Sequence, residues 1–571
     1  MATIPRLAAE SSLHASAHSP NRVPGLLLRL GFWCTGAMLA VIQTLGFRYY
    51  ATADAVAYMD MSDGLMPGRS WHHLINGVWS PLYPALLGIA RRVFHPAPGN
   101  EIYFDHLLNL PFFLFAFGCF EFLLHTILGS LPTDAEAGDK VGLPTWLYWT
   151  LGYTLFLWTS LTEITLQSLR PDMLMAGFLY LALAIVVRMR KHAANWKSFA
   201  ALGGVLGVGF LVKAPMLPIG ILIIVCGVVF TSDWRRRVPM AIGSDAILLL
   251  IAAFYFVPLS IQLHRFTLGE SSRFNYIAHV NHAGPGWYGQ TMGTAAGTPL
   301  HRTRRIFDSP PTYEFATGET DNSDALRFDP SYWTEGATPK FYLRDQITAV
   351  RENLHVYIGM LPSLSVIILG TALLLLISGR GWLPEVLARF PLWLVGFAGI
   401  VMYALVHVEE RYVGAFFLVL WIGLLVGLRF PPKRQTFATA VVLVMVLWAG
   451  GFLLKEAAFD YRHPHSRNRE AIVAAELPKY GVHSGDAVAR ISAAPDLGWA
   501  RAARVSVIAE VDWQVGARPF WTASPEVQHQ VLAALANTGA KIVVGRPGSE
   551  TAPQGWQPLG KSDYWVYVFQ P

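Results

Sequence analysis

The stretch Thr52 to Gly64, TADAVAYMDMSDG, places three carboxylates, Asp54, Asp60 and Asp63, directly after the first long apolar run, Leu26 to Phe47. An acid where a helix leaves a bilayer can cap a neighbouring helix, or it can do chemistry on a substrate at the membrane surface. If 55–65 is a short interfacial helix, Asp54 is its N-cap, Tyr58 follows one turn later, and Asp60 and Asp63 lie on a solvated helix and its following turn. Arg170 and Asp172 bracket Pro171, which reads as a salt-bridged helix start or as part of a functional cluster, with Glu163 a candidate for the same cavity. Lys213, in GFLVKAPMLP, sits between two apolar runs. A buried unpaired ammonium is costly, so Lys213 either snorkels at a helix end or meets a partner such as a phosphate. Arg411 and Tyr412, in HVEERY, add a planar guanidinium that suits phosphate oxygens, unless it pairs with Glu409 or Glu410. His72 and His73 are adjacent, so they do not share a helical face, and no third ligand has zinc-like spacing. No cofactor is expected, with a divalent ion as the alternative. The basic run His301 to Arg305, HRTRR, reads as loop surface or as a strap over a ligand.

Apolar runs must position these groups. Hydrophobic residues make up 53% of the 571 and charged residues 14%, the balance of a polytopic membrane protein. The three cysteines, Cys34, Cys119 and Cys226, all fall inside apolar runs, so no disulfide framework follows. The net charge of +6 is carried in short clusters between those runs, a pattern of membrane topology rather than of nucleic-acid binding.

Residues 1–24 read as a cytoplasmic tail before an uncleaved anchor. Runs of spanning or near-spanning length follow at 103–128, 145–164, 171–188, 198–212, 214–231, 239–262, 353–377, 384–406, 411–429 and 437–457. The segment WSPLYPALLGIARRVF, Trp79 to Phe94, is ambiguous. The clusters Arg188 to Lys191, Trp234 to Arg237 and Pro431 to Arg434 all fall in the cytoplasm only if 79–94 does not cross, which gives about 11 spans within 25–457. The outer loop 48–102, the turn 165–170, the large outer loop 264–350 and the tail 458–571 then share the outer face. The tail alternates helical and strand-like stretches, including DAVARI, RVSVIAEV, AKIVVG and YWVYVF, and reads as a small α/β domain.

An acid in the first outer loop, the proline-rich SPLYP, the LRPDMLMAGFLYLALA helix and the EERY near the last spans together resemble the GT-C glycosyltransferases. The resemblance is to the branch of protein O-mannosyltransferases and the lipid A aminoarabinose transferase, and it covers most of the membrane part. It implies an all-α polytopic GT-C fold with a C-terminal periplasmic α/β domain in a bacterial inner membrane. It also implies transfer of a sugar from a polyprenyl-phosphate donor to a lipid, glycan or protein acceptor outside the cytoplasm. By the same resemblance Asp54 is the catalytic base and Asp172 the second functional acid. Tyr58, Arg170, Lys213, Arg411, Tyr412 and Glu163 are then substrate-binding candidates. The chain departs from the branch at Ala55, Ala57 and Ser80, where relatives carry an acid, an arginine and a lysine. Membrane lipids are the other expected partners, and nucleic acid is not. Two other readings are a transporter or flippase for lipid-linked sugars and a noncatalytic scaffold. The transporter would carry charge along several mid-membrane helices or an internal repeat, and neither is evident.

Overall fold

The computed structural model describes residues 22–131, 139–191, 195–230, 234–282, 303–315, 322–324, 328, 337–379, 382–464, 468–494, 496–513, 515–548 and 554–569. Most of the expected cytoplasmic tail, part of the loop 264–350, and His301 and Arg302 lie outside the described residues.

The apolar runs fold as helices. Six of them, Gly25–Gly46, Pro98–Leu128, Asp172–Arg190, Trp234–Gln262, Leu343–Ser378 and Pro432–Arg462, are long and apolar enough to cross a membrane. Trp196–Val212, Met216–Val229 and Phe390–Ala404 are shorter apolar helices. Thr145–Trp158 and Glu410–Leu425 have most of their residues buried inside the bundle. The segment Leu82–Phe94 is a helix of 13 residues, about 20 Å long at 1.5 Å per residue and too short for a hydrocarbon core of about 30 Å. It turns Tyr83, Leu87 and Arg91 inward and leaves Ile89, Val93 and Phe94 exposed.

The polar connections sort to two ends of the bundle. At one end, the backbone of Glu270 donates to Gly77 O (2.7 Å), Thr52 meets Ser168, and Arg501 of the tail meets Asp63 of the first loop. At the other, Val141–Gly142 pairs with Arg429–Phe430, Lys140 reaches Ser378 O (3.2 Å) and Arg434 reaches Ile377 O (3.3 Å). The basic clusters therefore lie away from the acidic first loop.

The tail is built on a seven-stranded sheet. Its strands are β1 (Thr303–Phe307), β2 (Thr312–Phe315), β3 (Ala487–Ser492), β4 (Ser506–Val511), β5 (Ile542–Arg546), β6 (Gln557–Pro558) and β7 (Trp565–Val568). They lie in the order β1-β2-β4-β3-β5-β7-β6, with β4, β3 and β5 parallel at the centre. The first two strands come from the large outer loop, so the sheet is not made by 458–571 alone. The hairpin β1-β2 pairs antiparallel to β4 and ties the loop to the tail.

A buried ionic knot fastens the tail to the first loop. Asp60 and Asp63, expected on a solvated helix and turn, are buried instead. Arg501 donates to Asp63 (2.5 and 2.7 Å), Asp60 (2.8 Å) and Glu101 (3.0 Å), and Arg504 adds a bond to Asp63 (2.6 Å). Asp60 also accepts from Ser323 N (2.8 Å). Arg91, expected on the outer face against the charge rule, is buried against Asp105 and Ser62. Hydropathy marked Asp60 and Asp63 as loop acids, but the arginine they share, Arg501, lies more than 400 residues away and left no local signal.

Reporter fusions after Lys140, Arg235 and Lys433 should share one compartment and fusions after Arg462 should report the other; a common compartment for all four would break the topology. Arg501→Ala strands buried carboxylates, a loss of about 3–5 kcal/mol, so limited proteolysis should release the tail from the membrane part. The same contact sets an acid limit. Burial alone would raise the Asp63 carboxyl, but Arg501, then Arg504 and Arg91, hold it down to about 2, below its ordinary 3.8. A depressed carboxyl contributes stability above its unfolded value that is lost as pH falls through the folded one. Burial raises the Asp60 carboxyl in the same knot, so it is the Asp63 share of tail protection in the unmutated chain that should hold at pH 5 and decay between roughly pH 4 and 2. Protection already gone at pH 5 would show that Asp63 does not carry the latch.

Candidate active site

Thr52, not Asp54, caps the first interfacial helix, Ala53–Ser62: its hydroxyl accepts from Ala55 N at 3.2 Å. The expected Asp54 cap is thus one residue pair out, because the helix begins earlier than the sequence pattern shows. Thr52 Oγ1 also lies 3.3 Å from Ser168 Oγ, which pins the helix start to the turn before Asp172. Asp54 is left in the first turn with its carboxylate uncommitted to capping and its side chain 35% exposed.

Arg411 is the hub. Its guanidinium donates to Glu409 (2.6 and 3.1 Å) and to the Tyr412 hydroxyl (3.1 Å), and stands 3.5 Å from Asp54 and 3.7 Å from Asp172. Lys213 bonds Asp172 at 2.5 Å and lies over the Tyr412 ring, 4.0 Å from its centroid. Lys213 reaches this point because the helix Trp196–Val212 stops there: Lys213 takes an extended backbone two residues before Pro215. Asp172 opens its own helix after Pro171, where the dipole favours an acid. It pairs with Lys213 and Arg411. No ion pair joins Arg170 to Asp172 among the described residues, so the salt-bridged helix start is not what forms.

Tyr58 lies beneath Asp54, buried, with its ring 5.2 Å from Trp79 and 5.1 Å from Tyr83. Burial, then the charges of Asp54 and Asp172, push its hydroxyl well above the usual tyrosine range, so it stays protonated and can donate. Asp54, Asp172, Lys213, Arg411, Tyr412 and Tyr58 therefore come together. Arg170 and Glu163 instead line an adjoining cavity of about 460 Å³, together with Gln43, Gln167, Glu409, Glu410 and Arg411 itself. A π-helical turn, Thr159–Ile164, carries Glu163 there, and Gly414 permits the approach: a Cβ on it would stand 3.0 Å from Cβ of Glu163. Among the described residues Glu163 has no hydrogen-bond or ion-pair partner.

The sequence pattern passed over a polar web behind this cavity. Gln43 donates to Asp460 (2.9 Å) and accepts from Leu166 N (2.7 Å), and Gln167 donates to Asp460 (3.3 Å). Gln43 inside the first apolar run and Asp460 at the end of the last were the available signal, since polar groups at membrane depth need partners. His279 stacks on His407 at 3.8 Å, and His407 faces Glu409 at 3.5 Å. His72 and His73 sit on the short turn Trp71–Leu74, His72 bonded to Ser70. Among the described residues no three His, Cys, Asp or Glu side chains are grouped to hold a metal ion. Of the HRTRR run, Arg304 pairs with Glu314 across β1-β2 (2.9 Å), on the surface.

No family model matches the sequence, and no curated protein does. Among solved structures the chain is similar to ArnT from Cupriavidus metallidurans, at 13% identity over 95% of this chain and 98% of that one, with a TM-score of 0.39. It is similar to the same protein bound to undecaprenyl phosphate, at 14% identity over 94% and 98%, again with a TM-score of 0.39. It is also similar to the Archaeoglobus fulgidus oligosaccharyltransferase, at 12% identity over 90% of this chain and 68% of that one, with a TM-score of 0.48.

Proposed function

We propose that the chain is a membrane glycosyltransferase that moves a sugar from a polyprenyl-phosphate donor to a lipid, glycan or protein acceptor on the outer face of a bacterial inner membrane. The observation that carries the reading is Asp54: a half-exposed carboxylate, released from capping by Thr52, within 3.5 Å of a guanidinium that also faces Asp172. A base needs such access, and a leaving phosphate needs cations beside it.

In this reading the carboxylate of Asp54 takes the proton of the acceptor hydroxyl or amine as its oxygen or nitrogen attacks the anomeric carbon. The bond from that carbon to the phosphate oxygen breaks, and the electron pair leaves on the phosphate. Arg411 and Lys213 offer the positive charge that the departing oxygen requires. Asp172 and Glu409 act as positioning residues that hold these cations in place, and the prenyl chain remains in the bilayer. The cavity with Glu163 and Arg170 adjoins Arg411 and has room for a polar ligand.

Asp54→Asn keeps shape and hydrogen bonding but removes proton acceptance, so turnover should fall by roughly a hundred- to ten-thousandfold while undecaprenyl phosphate binding persists. Full transfer by this variant would return the chain to the transporter or scaffold reading. Lys213→Ala and Arg411→Ala should each weaken undecaprenyl phosphate binding, measured on purified protein, by about tenfold or more, the worth of a charge-assisted bond of about 1.5–3 kcal/mol. Unchanged binding in both would mean that neither cation holds the phosphate.

A further inference from the structure

At the end of the bundle opposite Asp54, a cavity of about 690 Å³ is bounded by Val187, Phe230, Leu392, Ser130 and two arginines, Arg190 and Arg389. We infer that this cavity is a binding site for the phosphate headgroup of an anionic membrane lipid.

The charge is built into the site. Arg190 lies near the end of the helix Asp172–Lys191, donates to Ala388 O (2.5 Å) and spreads over the Phe230 ring, 4.7 Å from its centroid. Arg389 sits in the turn before Phe390–Ala404; its Nε donates to Gly423 O (3.3 Å), and its buried Nη2 has no hydrogen-bond partner among the described residues. Neither guanidinium has a carboxylate within ion-pair distance among the described residues; Arg389 feels the attraction of Glu385 and, more weakly, the repulsion of Arg190. The neighbouring acid, Glu385, is engaged elsewhere, accepting from Arg429 N at 3.0 Å. The fold also keeps the space for Arg389. Gly427 turns there with φ +86°, and a Cβ on it would come 2.5 Å from Nη1.

Two guanidinia with free donors suit phosphate oxygens, which they can grip in pairs. Apart from Ser130, the other side-chain walls are aliphatic and aromatic, so the ligand has an apolar body beside its anion. Basic pockets between membrane helices are suited to anionic headgroups for this reason. Inorganic phosphate or a phosphorylated small molecule would satisfy the arginines alone and leave the apolar walls wet.

Native mass spectrometry of the full chain in detergent tests this with three added probes: phosphatidylglycerol, phosphatidylcholine and inorganic phosphate. The unmutated chain should retain phosphatidylglycerol over phosphatidylcholine, and Arg190→Gln should cut that retention by about tenfold with the unfolding temperature unchanged. Arg190→Lys should restore part of it. Arg389 bonds the end of the helix Glu410–Leu425 through Gly423 O, so Arg190→Gln, at an exposed helix end, is the decisive variant. Equal retention of both lipids, or unchanged retention in Arg190→Gln, overturns the proposal. Displacement of phosphatidylglycerol by millimolar inorganic phosphate would assign the arginines to a small free anion and overturn the lipid.

Discussion

The buried ion pairs of Arg501 hold the functional end of the molecule together. This one guanidinium meets Asp60, Asp63 and Glu101, and through them binds the C-terminal α/β unit to the interfacial helix that begins at Ala53. The opposite end of that helix carries Asp54. Its position is therefore fixed from both sides, by Thr52 and Ser168 at the start and by the arginines of the tail at the finish. Ion pairs taken out of water gain little net stability, yet they are strict about geometry because any unmatched charge is costly. That strictness suits a junction whose task is to hold a short helix in register against a membrane surface.

The same rule orders the candidate site. Three carboxylates, Asp54, Asp172 and Glu409, surround two cations, Lys213 and Arg411, and each cation has at least one carboxylate at bonding distance. Asp172 and Glu409 spend their charge on orienting Lys213 and Arg411. Asp54, only 3.5 Å from Arg411 and without a shorter bond, keeps an accessible carboxylate. Glu163 lies apart in the adjoining cavity, unpartnered among the described residues. The difference between these acids comes from their neighbours, since all four are alike in chemistry.

The two ends of the bundle solve opposite problems. The outer-loop end is rich in acids, and arginines such as Arg91 and Arg501 are drawn into it as counter-charges. The opposite end is rich in cations, and Arg190 and Arg389 find few acids among the described residues. That asymmetry follows the basic clusters of the sequence, and it leaves the two ends suited to different ligands.

Composition and hydropathy determined the class of this protein: runs of about twenty apolar residues have to become helices, and period-two stretches after residue 486 have to become strands. The two prolines and the arginine pair of 79–94 pointed to a helix short of a full span, and Leu82–Phe94 has 13 residues. Candidate residues at membrane depth, such as Lys213, Asp172 and Arg411, could be singled out because an ionisable group there needs a reason. What they pair with could not be read. Arg170 and Asp172 are neighbours in sequence and part in space, while Arg501 and Asp63 are 438 residues apart and share hydrogen bonds. Helix propensity does not fix which of Thr52 and Asp54 caps a helix; in the fold it is Thr52, which also meets Ser168. Burial separates Asp60 and Asp63 from Asp54, and burial is a property of the assembled fold, because only packing decides which carboxylates lose their water.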